Sequence, residues 1–323
     1  MNIIFVTNYS KKYGGGHINR CNKLAKGLDK KGKVFFIVDK KDKNLKKIIS
    51  KKKNIILKKN IFDKTSQIIK ILKVFNNPIV IIDSYLTNFN FEKKIYPYCK
   101  KLIVIDDLKK KHFCDIYINP NLLDFKFADK IVSNVKLLGP KYVFLENIKT
   151  KRLNIKKHHY EEVLIFMGAT DSKKISLKIY NAIKSKRLSH LKFKFIIGYN
   201  NHRINNIMKD NKIKNIKFLT FKKKFYKILN KADIFISSGG SSVWESIFLR
   251  KKTLIFNHSI RQIENSSNLE KKGLVNVFKK RLTDKNILNF LISETKSSKI
   301  KNYNYKNFLD SKGIDRTIRK ILI

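Results

Sequence analysis

The sequence predicts an α/β protein made of two doubly wound, Rossmann-like domains. Its 323 residues suit two domains of roughly 150 residues each. Short β-branched runs alternate with helical patterns, as in parallel α/β sheets, and the alternation starts again near residue 160. Because the hydrophobic fraction is 42%, each half is able to bury a core.

The first half contains five expected strands. Their β-branched runs predict burial on both faces, as in a parallel sheet. We place these strands at Ile3–Thr7, Val34–Val38, Ile55–Leu57, Ile79–Asp83 and Leu102–Asp106. Helical patterns separate them, near residues 16–30, 42–51, 63–75 and 89–100. Residues 1–147 are therefore expected to form the first domain.

The second half repeats this organisation after a basic, weakly periodic stretch at residues 145–160, which we interpret as a linker. Its strands are expected at Val163–Met167, Phe193–Gly198, Ile216–Leu219, Ile234–Ser237 and Thr253–Phe256. Its helices are expected near 172–186, 202–210, 222–231, 241–249, 261–271 and 283–294. Residues 160–302 would form the second domain. A last helix near 305–322, within residues 303–323, is expected to pack back across the first domain.

The chain is strongly basic, with 73 Lys and Arg against 24 Asp and Glu and a formal net charge of +49. Such a charge suits nucleic acid, an anionic membrane or a polyanionic substrate. The basic residues are nevertheless spread over loops along the whole chain, which equally fits a solvated basic surface. No RNA-binding aromatic motif or helix-turn-helix accompanies them, so we expect no nucleic-acid partner.

The three cysteines are widely spaced and form no C-x-x-C pair, which is typical of reduced thiols in a cytoplasmic protein. No run of about 18 apolar residues is present, so no transmembrane segment is expected. The opening MNIIFVTN lacks a charged start and a long apolar run and is interpreted as a strand, not a signal peptide. We expect a cytoplasmic monomer.

Two glycine-rich loops follow predicted strands, one in each domain. The first includes Gly15 and Gly16 and opens a helix; the second includes Ser238, Gly239, Gly240 and Ser241. Ligands of open parallel sheets bind beyond the carboxyl ends of the strands, and free amides at a helix start favour phosphate. Each loop alone is equally compatible with a tight turn. Together they favour a diphosphate ligand in a cleft between the domains.

Polar residues near the second loop are further candidates. Glu245 lies one helical turn beyond Ser241, where it would accept hydrogen bonds from ribose hydroxyls or complement the helix dipole. Gln262 and Asn265 share one helix face and suit sugar hydroxyls or phosphate oxygens, or else cap the helix. Gly168 ends the first strand of the second domain, and Asp171 is expected to cap the next helix.

In the first domain, IIDSY places Asp83 and Tyr85 at a strand end, and VIDD does the same for Asp106 and Asp107. Neighbouring side chains on a strand point in opposite directions, so a carboxylate pair that shares a proton is not expected. One of Asp106 and Asp107 would face the cleft and the other would act as a cap.

Several motifs occur in a characteristic order: YGGGHINRC, IIDSY, VIDDL, CDIYIN, LLGPKYVFL, MGATD, SSGGSSVWESIFL and QIENSSNLEKKG. Together they resemble the UDP-sugar hydrolases of pseudaminic acid biosynthesis and the related spore-coat polysaccharide proteins, over about residues 1–275. That family is similar in fold to the lipid-linked N-acetylglucosaminyl transferase of peptidoglycan synthesis. The resemblance therefore implies a GT-B type fold, in which two Rossmann-like domains face a cleft.

The resemblance implies hydrolysis of UDP-2,4-diacetamido-2,4,6-trideoxy-β-L-altropyranose into UDP and free sugar, by attack of water at the anomeric carbon. The reaction would invert that carbon and need no metal or other cofactor. His17 matches the catalytic base, Tyr85 a tyrosine near the sugar, and residues 238–245 the UDP site. The expected substrate contacts are Gly15, Gly16, Arg20, Asp83, Gly168, Asp171, Ser238, Gly239, Gly240, Ser241, Glu245, Gln262 and Asn265.

The chain departs from the family pattern at three places. Ala169 replaces a glycine, Arg261 replaces an asparagine that contributes to the sugar site, and Asn8-Tyr9-Ser10 replaces Asp-Ala-Ser. The change at Arg261 bears on the identity of the sugar. An alternative on the same fold is a glycosyltransferase, in which His17 would deprotonate an acceptor hydroxyl instead of water.

Overall fold

The computed structural model describes residues 1–9, 15–38, 49, 54–57, 62, 65–146, 160–171, 173–198, 204, 211–220, 225–296 and 308–323. The chain divides into two compact units, Met1–Asn147 together with Phe308–Ile323, and Ile148–Asn307. Each unit is built on one parallel sheet with helices between its strands, so the predicted α/β fold class is confirmed. The expected linker and the helices near 42–51 and 202–210 fall almost entirely outside the described residues.

The first unit has a seven-stranded parallel sheet in the order β3-β2-β1-β4-β5-β6-β7. Its strands are β1 Asn2–Thr7, β2 Lys33–Val38, β3 Asn54–Leu57, β4 Ile79–Asp83, β5 Lys101–Ile105, β6 Phe113–Asn119 and β7 Val132–Leu138. Its helices are α1 Gly16–Leu28, α2 Thr65–Val74, α3 Phe89–Ile95 and, from the end of the chain, α9 Gly313–Leu322. The central strands β1 and β4 are almost wholly buried, as their apolar runs predict.

Strands β6 and β7 were not predicted. β6 is interrupted by Asp115, and β7 alternates exposed and half-buried positions over most of its length. The latter is the pattern of an edge strand, whose weak hydrophobic signal the sequence analysis did not separate from a loop. These two strands extend the sheet beyond β5.

The second unit has a six-stranded parallel sheet in the order β10-β9-β8-β11-β12-β13. Its strands are β8 Glu162–Phe166, β9 Lys192–Ile197, β10 Ile216–Thr220, β11 Ile234–Ser237, β12 Lys252–Ile255 and β13 Asn276–Val277. Its helices are α4 Ile175–Ile183, α5 Phe225–Lys231, α6 Ser242–Phe248, α7 Ile260–Lys271 and α8 Asp284–Lys296. Only the two-residue strand β13 lacks a counterpart in the predicted strands.

Strand order reverses once in each sheet, beside the first strand of the unit. In the first unit β4 lies next to β1, and Thr7 pairs in register with Asp83 at their ends. In the second unit β11 lies next to β8, and Phe166 pairs with Ser237. Such reversal points leave a crevice at the carboxyl ends of the strands, where ligands of doubly wound sheets bind.

Helix α1 presents one apolar face to the first sheet and another to the last helix of the chain. Its buried residues Ile18, Cys21, Leu24, Ala25 and Leu28 recur at helical spacing. The last helix, α9, packs on α1 within the first unit, so that the helix that carries His17 is covered on two sides. Lys101 Nζ also donates to the Ile321 carbonyl at 3.1 Å, which ties α9 to β5.

Gly27 is where α1 and α9 approach most closely. A Cβ on Gly27 would lie 2.4 Å from Cδ1 of Ile318. We expect Gly27→Val to lower the free energy of unfolding by about 1–3 kcal/mol through overpacking, as measured by urea denaturation. Ile318→Ala removes the obstructing atom. In an Ile318→Ala background, Gly27→Val should therefore lower the free energy of unfolding by less than it does in the wild type. Strictly additive losses would contradict this account of the contact.

Candidate functional site

The first candidate site surrounds Asp83, the last residue of β4. His17 Nδ1 lies 2.6 Å from Asp83 Oδ1, and Arg20 donates from Nη2 to the same oxygen at 2.7 Å and from Nε to Oδ2 at 2.8 Å. His17 and Arg20 stand three residues apart on α1, so both project from one face of the helix. We call His17, Arg20, Asp83 and Tyr85 the Asp83 cluster.

The charge of Asp83 decides which ring nitrogen of a neutral His17 carries the proton. Burial by itself raises the pKa of Asp83, but the charges and hydrogen bonds of Arg20 and His17 bring it down to about 2. An ionised carboxylate only accepts hydrogen bonds, so Nδ1 of His17 carries the proton that it receives. The neutral imidazole then has its lone pair on Nε2, which is the state required of a general base.

Tyr85 stands beside this imidazole. The two rings meet edge to face, with centroids 4.2 Å apart and planes at 87°. Burial, followed by the charge of Asp107, raises the pKa of the Tyr85 hydroxyl, which hydrogen-bonds to Asp107. Tyr85 is therefore a protonated, neutral group, and Lys110 Nζ holds its backbone by donating to the Tyr85 carbonyl at 2.9 Å.

The geometry gives Asp83 a task within its own unit, and its expected substrate contact stays a prediction. Asp83 is 0% exposed, and both carboxylate oxygens are engaged by partners of its own unit. Thr7 Oγ1 donates to the Asp83 carbonyl at 3.0 Å and fixes its backbone as well. Asp83 therefore orients His17 and neutralises the charge of Arg20. The guanidinium of Arg20 points towards Asp83. The sequence did not show this, because residue 83 reaches residue 17 only through the pairing of β1 with β4.

The two predicted glycines of this loop lie at the start of α1. Gly15 is the N-cap residue, with no side chain to occupy the first amides of the helix, and Gly16 is exposed. Those amides have no partner within the helix itself. Gly15 and Gly16 stay predicted substrate contacts, and residues 10–14 of the same loop lie outside the described residues.

Asn8 is a candidate that the sequence analysis recorded only as a departure from the family pattern. It follows β1 directly and is 2% exposed, and both of its amide atoms are buried without a hydrogen-bond partner among the residues that the structure describes. A buried polar group left unpaired costs about 1–3 kcal/mol, so native proteins rarely keep one without a ligand or water to satisfy it. Asn8 thus joins the candidates at the carboxyl edge of the first sheet.

The second candidate site is the glycine loop after β11. Gly239 has a φ of +86°, and a Cβ there would lie 2.8 Å from Asn257 Oδ1 and 2.9 Å from Ser266 Oγ. Ser266 Oγ donates to Asn257 Oδ1 at 2.9 Å, so these two side chains form a fixed wall behind the loop. Only glycine fits this backbone, because its missing Cβ lets the loop approach α7 closely.

Most of the predicted second-unit residues meet at this edge of the sheet. A Cβ on Gly168 would lie 3.9 Å from Ser238 Oγ, and one on Gly240 would lie 3.8 Å from Gln262 Nε2. The loops after β8 and β11 and the first turn of α7 therefore converge. The remaining predicted residues here are the exposed Ser241 before α6, the buried Glu245 in the first turn of α6, and the buried Asn265 on α7.

Asp171 is the exception. Its carboxylate accepts hydrogen bonds from the backbone of Ile175 at 2.8 Å and Ser176 at 2.9 Å, which confirms the expected cap of the following helix. Asp171 is 4% exposed, and both of its oxygens are occupied in this way. The structure thus shows a capping role for Asp171, and its predicted substrate contact stays a prediction.

Two buried polar atoms at this site have no hydrogen-bond partner within the described part of the chain. They are Nδ1 of His258 and Oε1 of Gln262, on the loop after β12 and the start of α7. Burial lowers the pKa of His258 below its ordinary value, although the charge of Asp171 opposes this, so its imidazole is neutral at pH 7. Unsatisfied polar groups beside a glycine loop are typical of a ligand site. His258 was not among the residues predicted from the sequence, although its position shortly after the end of a strand is typical of ligand contacts in parallel sheets.

Neither candidate site contains a recognisable metal centre. Among the described residues, no group of three or more His, Cys, Asp or Glu side chains is arranged to hold a metal ion. The same residues include no helix that combines the length and the apolar character needed to cross a bilayer.

The second unit is similar in sequence to a known protein domain. Residues 162–312 match the profile of the glycosyltransferase family 28 C-terminal domain. An uncharacterized protein of Methanocaldococcus jannaschii is 26% identical over 266 residues, which cover 77% of this chain and 54% of that protein. The chain thus spans about half the length of that relative. The UDP-2,4-diacetamido-2,4,6-trideoxy-beta-L-altropyranose hydrolase of Campylobacter jejuni is 25% identical over 285 residues, which cover 84% of this chain and 97% of the hydrolase.

Solved structures extend the likeness to the whole chain. MurG of Acinetobacter baumannii has a TM-score of 0.69 at 11% identity, covering 100% of this chain and 99% of MurG. The UDP-GlcNAc 2-epimerase of M. jannaschii, in complex with UDP-GlcNAc and UDP, has a TM-score of 0.66 at 13% identity, with coverage of 100% and 99%. The chain therefore has the GT-B fold, and its second unit is similar in sequence to the C-terminal domain of glycosyltransferase family 28.

Proposed function

We propose that the protein hydrolyses a UDP-linked sugar at its anomeric carbon, with His17 as the base that activates water. The observation that carries this proposal is the 2.6 Å contact between His17 Nδ1 and the ionised, fully buried Asp83. It leaves Nε2 of His17 as proton acceptor at the reversal point of the first sheet. The similarity to the C. jejuni hydrolase, over 97% of that enzyme, supports the same chemistry.

The reaction needs little beyond a placed water and a stabilised leaving group. Water oxygen bonds to the anomeric carbon while the bond from that carbon to the UDP oxygen breaks. Nε2 of His17 takes the proton of the water, and UDP leaves with the electron pair. The charge of Asp83 stabilises the imidazolium that forms, in the manner of the carboxylate of a catalytic triad. Tyr85 and Asn8 are the neighbouring groups proposed to contact the sugar or the water.

The second unit is proposed to hold UDP. The loop from Ser238 to Ser241 offers backbone amides and hydroxyls to the diphosphate, in the way that glycine loops bind phosphate groups. Gln262 and His258 supply the unpaired polar atoms described above, and Glu245 is the proposed ribose contact. Because UDP gains negative charge as it leaves, the amide and hydroxyl donors of this loop stabilise the transition state. Gln262 Oε1 is an acceptor and would pair with a hydroxyl of the ligand instead.

We take the diacetamido-trideoxy sugar of the C. jejuni enzyme as the first substrate to test, and with it a place in pseudaminic acid synthesis. Arg261 is the residue on which that identity depends. It is exposed in the first turn of α7, next to Gln262, where the family pattern has asparagine. A guanidinium there favours a sugar or acceptor that carries an additional oxygen or negative charge.

The second candidate function is a glycosyltransferase that uses a UDP-sugar donor. It is favoured by the match of residues 162–312 to the glycosyltransferase family 28 C-terminal domain. In that reaction Nε2 of His17 would take the proton of an acceptor hydroxyl. The Asp83 cluster serves both reactions equally well, so the acceptor distinguishes them.

The test is incubation of the protein with a panel of UDP-sugars in ¹⁸O-labelled water, with and without candidate acceptors. We expect UDP release without acceptor and no ¹⁸O in the released UDP, because attack at the anomeric carbon leaves the bridging oxygen with UDP. UDP release only in the presence of an acceptor would establish the transferase instead. A UDP-sugar converted to an epimer without net UDP release would overturn both.

Gly239→Ala tests the proposed UDP site. At a φ of +86°, with Asn257 and Ser266 directly behind, alanine is expected to cost about 1–3 kcal/mol in unfolding free energy. We also expect UDP affinity, measured by calorimetry, to fall about tenfold or more because the loop moves. Gly240→Ala is the matched control, since a Cβ there meets its nearest atom only at 3.8 Å. A UDP affinity of Gly239→Ala equal to that of the wild type would argue against the loop as the diphosphate site.

A further inference from the structure

A buried charge cluster lies next to the Asp83 cluster and has no part in the proposed reaction. His112 Nδ1 lies 2.8 Å from Glu92 Oε1, and its Nε2 lies 3.0 Å from Asp106 Oδ2. The second oxygen of Glu92 accepts the backbone N–H of Phe113 at 2.9 Å. All three charged side chains are buried, with exposures of 0% for Glu92, 1% for His112 and 3% for Asp106. We call them the His112 clamp.

The geometry of the clamp places a proton in each of its two hydrogen bonds. A neutral histidine donates from one nitrogen only, whereas here each ring nitrogen faces a carboxylate. Burial would lower the pKa of His112, but the hydrogen bonds of Asp106 and Glu92 raise it to about 9. Burial, together with the charge of Asp107, raises the pKa of Asp106, and the hydrogen bond of His112 and the charge of Lys110 oppose this rise. The ring of Tyr117 stacks on His112 with centroids 5.3 Å apart.

The clamp closes a loop that leads back to the Asp83 cluster. Asp106 follows β5 directly and His112 directly precedes β6, so their hydrogen bond joins the two ends of residues 106–112. Between them, Asp107 Oδ2 lies 3.6 Å from Arg20 Nη1 and Asp107 hydrogen-bonds to the Tyr85 hydroxyl. Lys110 donates to the Tyr85 carbonyl at 2.9 Å. Tyr85 is therefore held, through side chain and backbone, by the loop that the clamp closes.

We infer that His112 is a positioning residue for the reacting groups: by holding Asp106 and Glu92 together, it fixes residues 107–111, which keep Tyr85 against His17. The inference rests on the proposed function for the roles of His17 and Tyr85, and it adds a residue that touches neither of them. A structural role alone would explain the burial of the clamp. It would not explain why the loop between its two ends contacts both Arg20 and Tyr85.

Two substitutions separate the halves of the clamp. His112→Gln places its amide donor near the position of Nε2 and keeps the bond to Asp106, whereas His112→Asn places it near Nδ1 and keeps the bond to Glu92. We expect His112→Asn, which opens the loop, to lower kcat about tenfold or more while KM and UDP affinity stay within about twofold. His112→Gln should recover much of the lost kcat.

Leu72→Ala is the control for lost stability. Leu72 is fully buried on α2 in the same unit and belongs neither to the clamp nor to the loop of residues 106–112. It should lower the melting temperature and leave kcat near that of the wild type. Equal kcat values in His112→Asn, His112→Gln and Leu72→Ala would overturn the inference and leave His112 a stabilising residue only.

A spectroscopic measurement separates this inference from the proposed function. In the full-length protein labelled with ¹⁵N-histidine, the ring signals of His17 report its bond to Asp83 and the adjacent ring of Tyr85. We expect these signals to shift in His112→Asn and not in Leu72→Ala. If the wild type releases no UDP but the signals shift, the proposed function fails and the positioning role stands. If the wild type turns over and neither kcat nor the signals change in His112→Asn, the positioning role fails.

Discussion

His17→Asn is expected to abolish turnover while UDP still binds as in the wild type. Asparagine can place its amide donor near the position of Nδ1, so the buried carboxylate of Asp83 keeps a partner. What the variant lacks is Nε2, the only acceptor that His17 offers to water. General base catalysis contributes about 10²–10⁴-fold, so we expect kcat to fall by at least the lower of these factors.

Steady-state UDP release and calorimetric UDP binding are the two measurements needed. UDP affinity should stay within twofold of the wild type, because the proposed UDP contacts are all in the second unit. Phe36→Leu, in a fully buried position of β2, is a suitable control for a small loss of stability in the first unit. If His17→Asn turns over within twofold of the wild type, the assignment of His17 as base is wrong, whatever the substrate proves to be.

The strands of both sheets could largely be predicted because each is a short β-branched run between polar loops. Ile79–Asp83 and Ile234–Ser237 have in the structure the bounds that the sequence indicated. The same pattern placed Asp83 and Ser238 at strand ends, which made them candidates. The same pattern did not identify β7. Its residues are mostly exposed and half-buried in alternation, so the strand buries too little apolar surface to be distinguished from a loop.

The roles of the candidates could not be predicted, because they depend on which strands pair. His17 and Asp83 are 66 residues apart in sequence and meet only because β4 lies beside β1. Likewise, the wall behind Gly239 comes from Asn257 and Ser266, on a loop and a helix that follow a different strand. Local sequence patterns show where a strand ends and which residue types stand there. They do not show which residue of another strand or helix those side chains contact.

Asp83→Asn is expected to produce the largest loss of stability among the variants considered. The asparagine has the same shape, but the negative charge that lies between His17 and Arg20 is gone. Arg20 is 12% exposed, and its remaining carboxylate neighbour is Asp107 at 3.6 Å. Removing one partner of a buried ion pair leaves an uncompensated charge, so we expect about 3–5 kcal/mol lower unfolding free energy at pH 7.

The pH dependence of this loss has a defined sign. The pKa of Asp83 is lowered from the ordinary 3.8 to about 2 in the folded protein. A depressed carboxyl pKa contributes stability that is present above 3.8 and is lost as the pH falls towards 2. Urea denaturation between pH 2 and 7 should therefore show the difference between wild type and Asp83→Asn shrinking towards the acid end.

A double-mutant cycle with Arg20→Gln identifies the source of the loss. If the unpaired guanidinium is the main cost in Asp83→Asn, then removing it as well restores stability, and the two losses are strongly non-additive. Asp115→Asn is the control carboxylate, because Asp115 accepts from the Tyr96 hydroxyl and the Leu102 backbone at 2.7 Å and contacts no residue of the Asp83 cluster. It should add to Arg20→Gln without coupling. Additive losses for Asp83→Asn and Arg20→Gln would mean that the ion pair with Arg20 contributes little to stability. Asp83 would then stabilise the unit through its backbone position and its bond to His17.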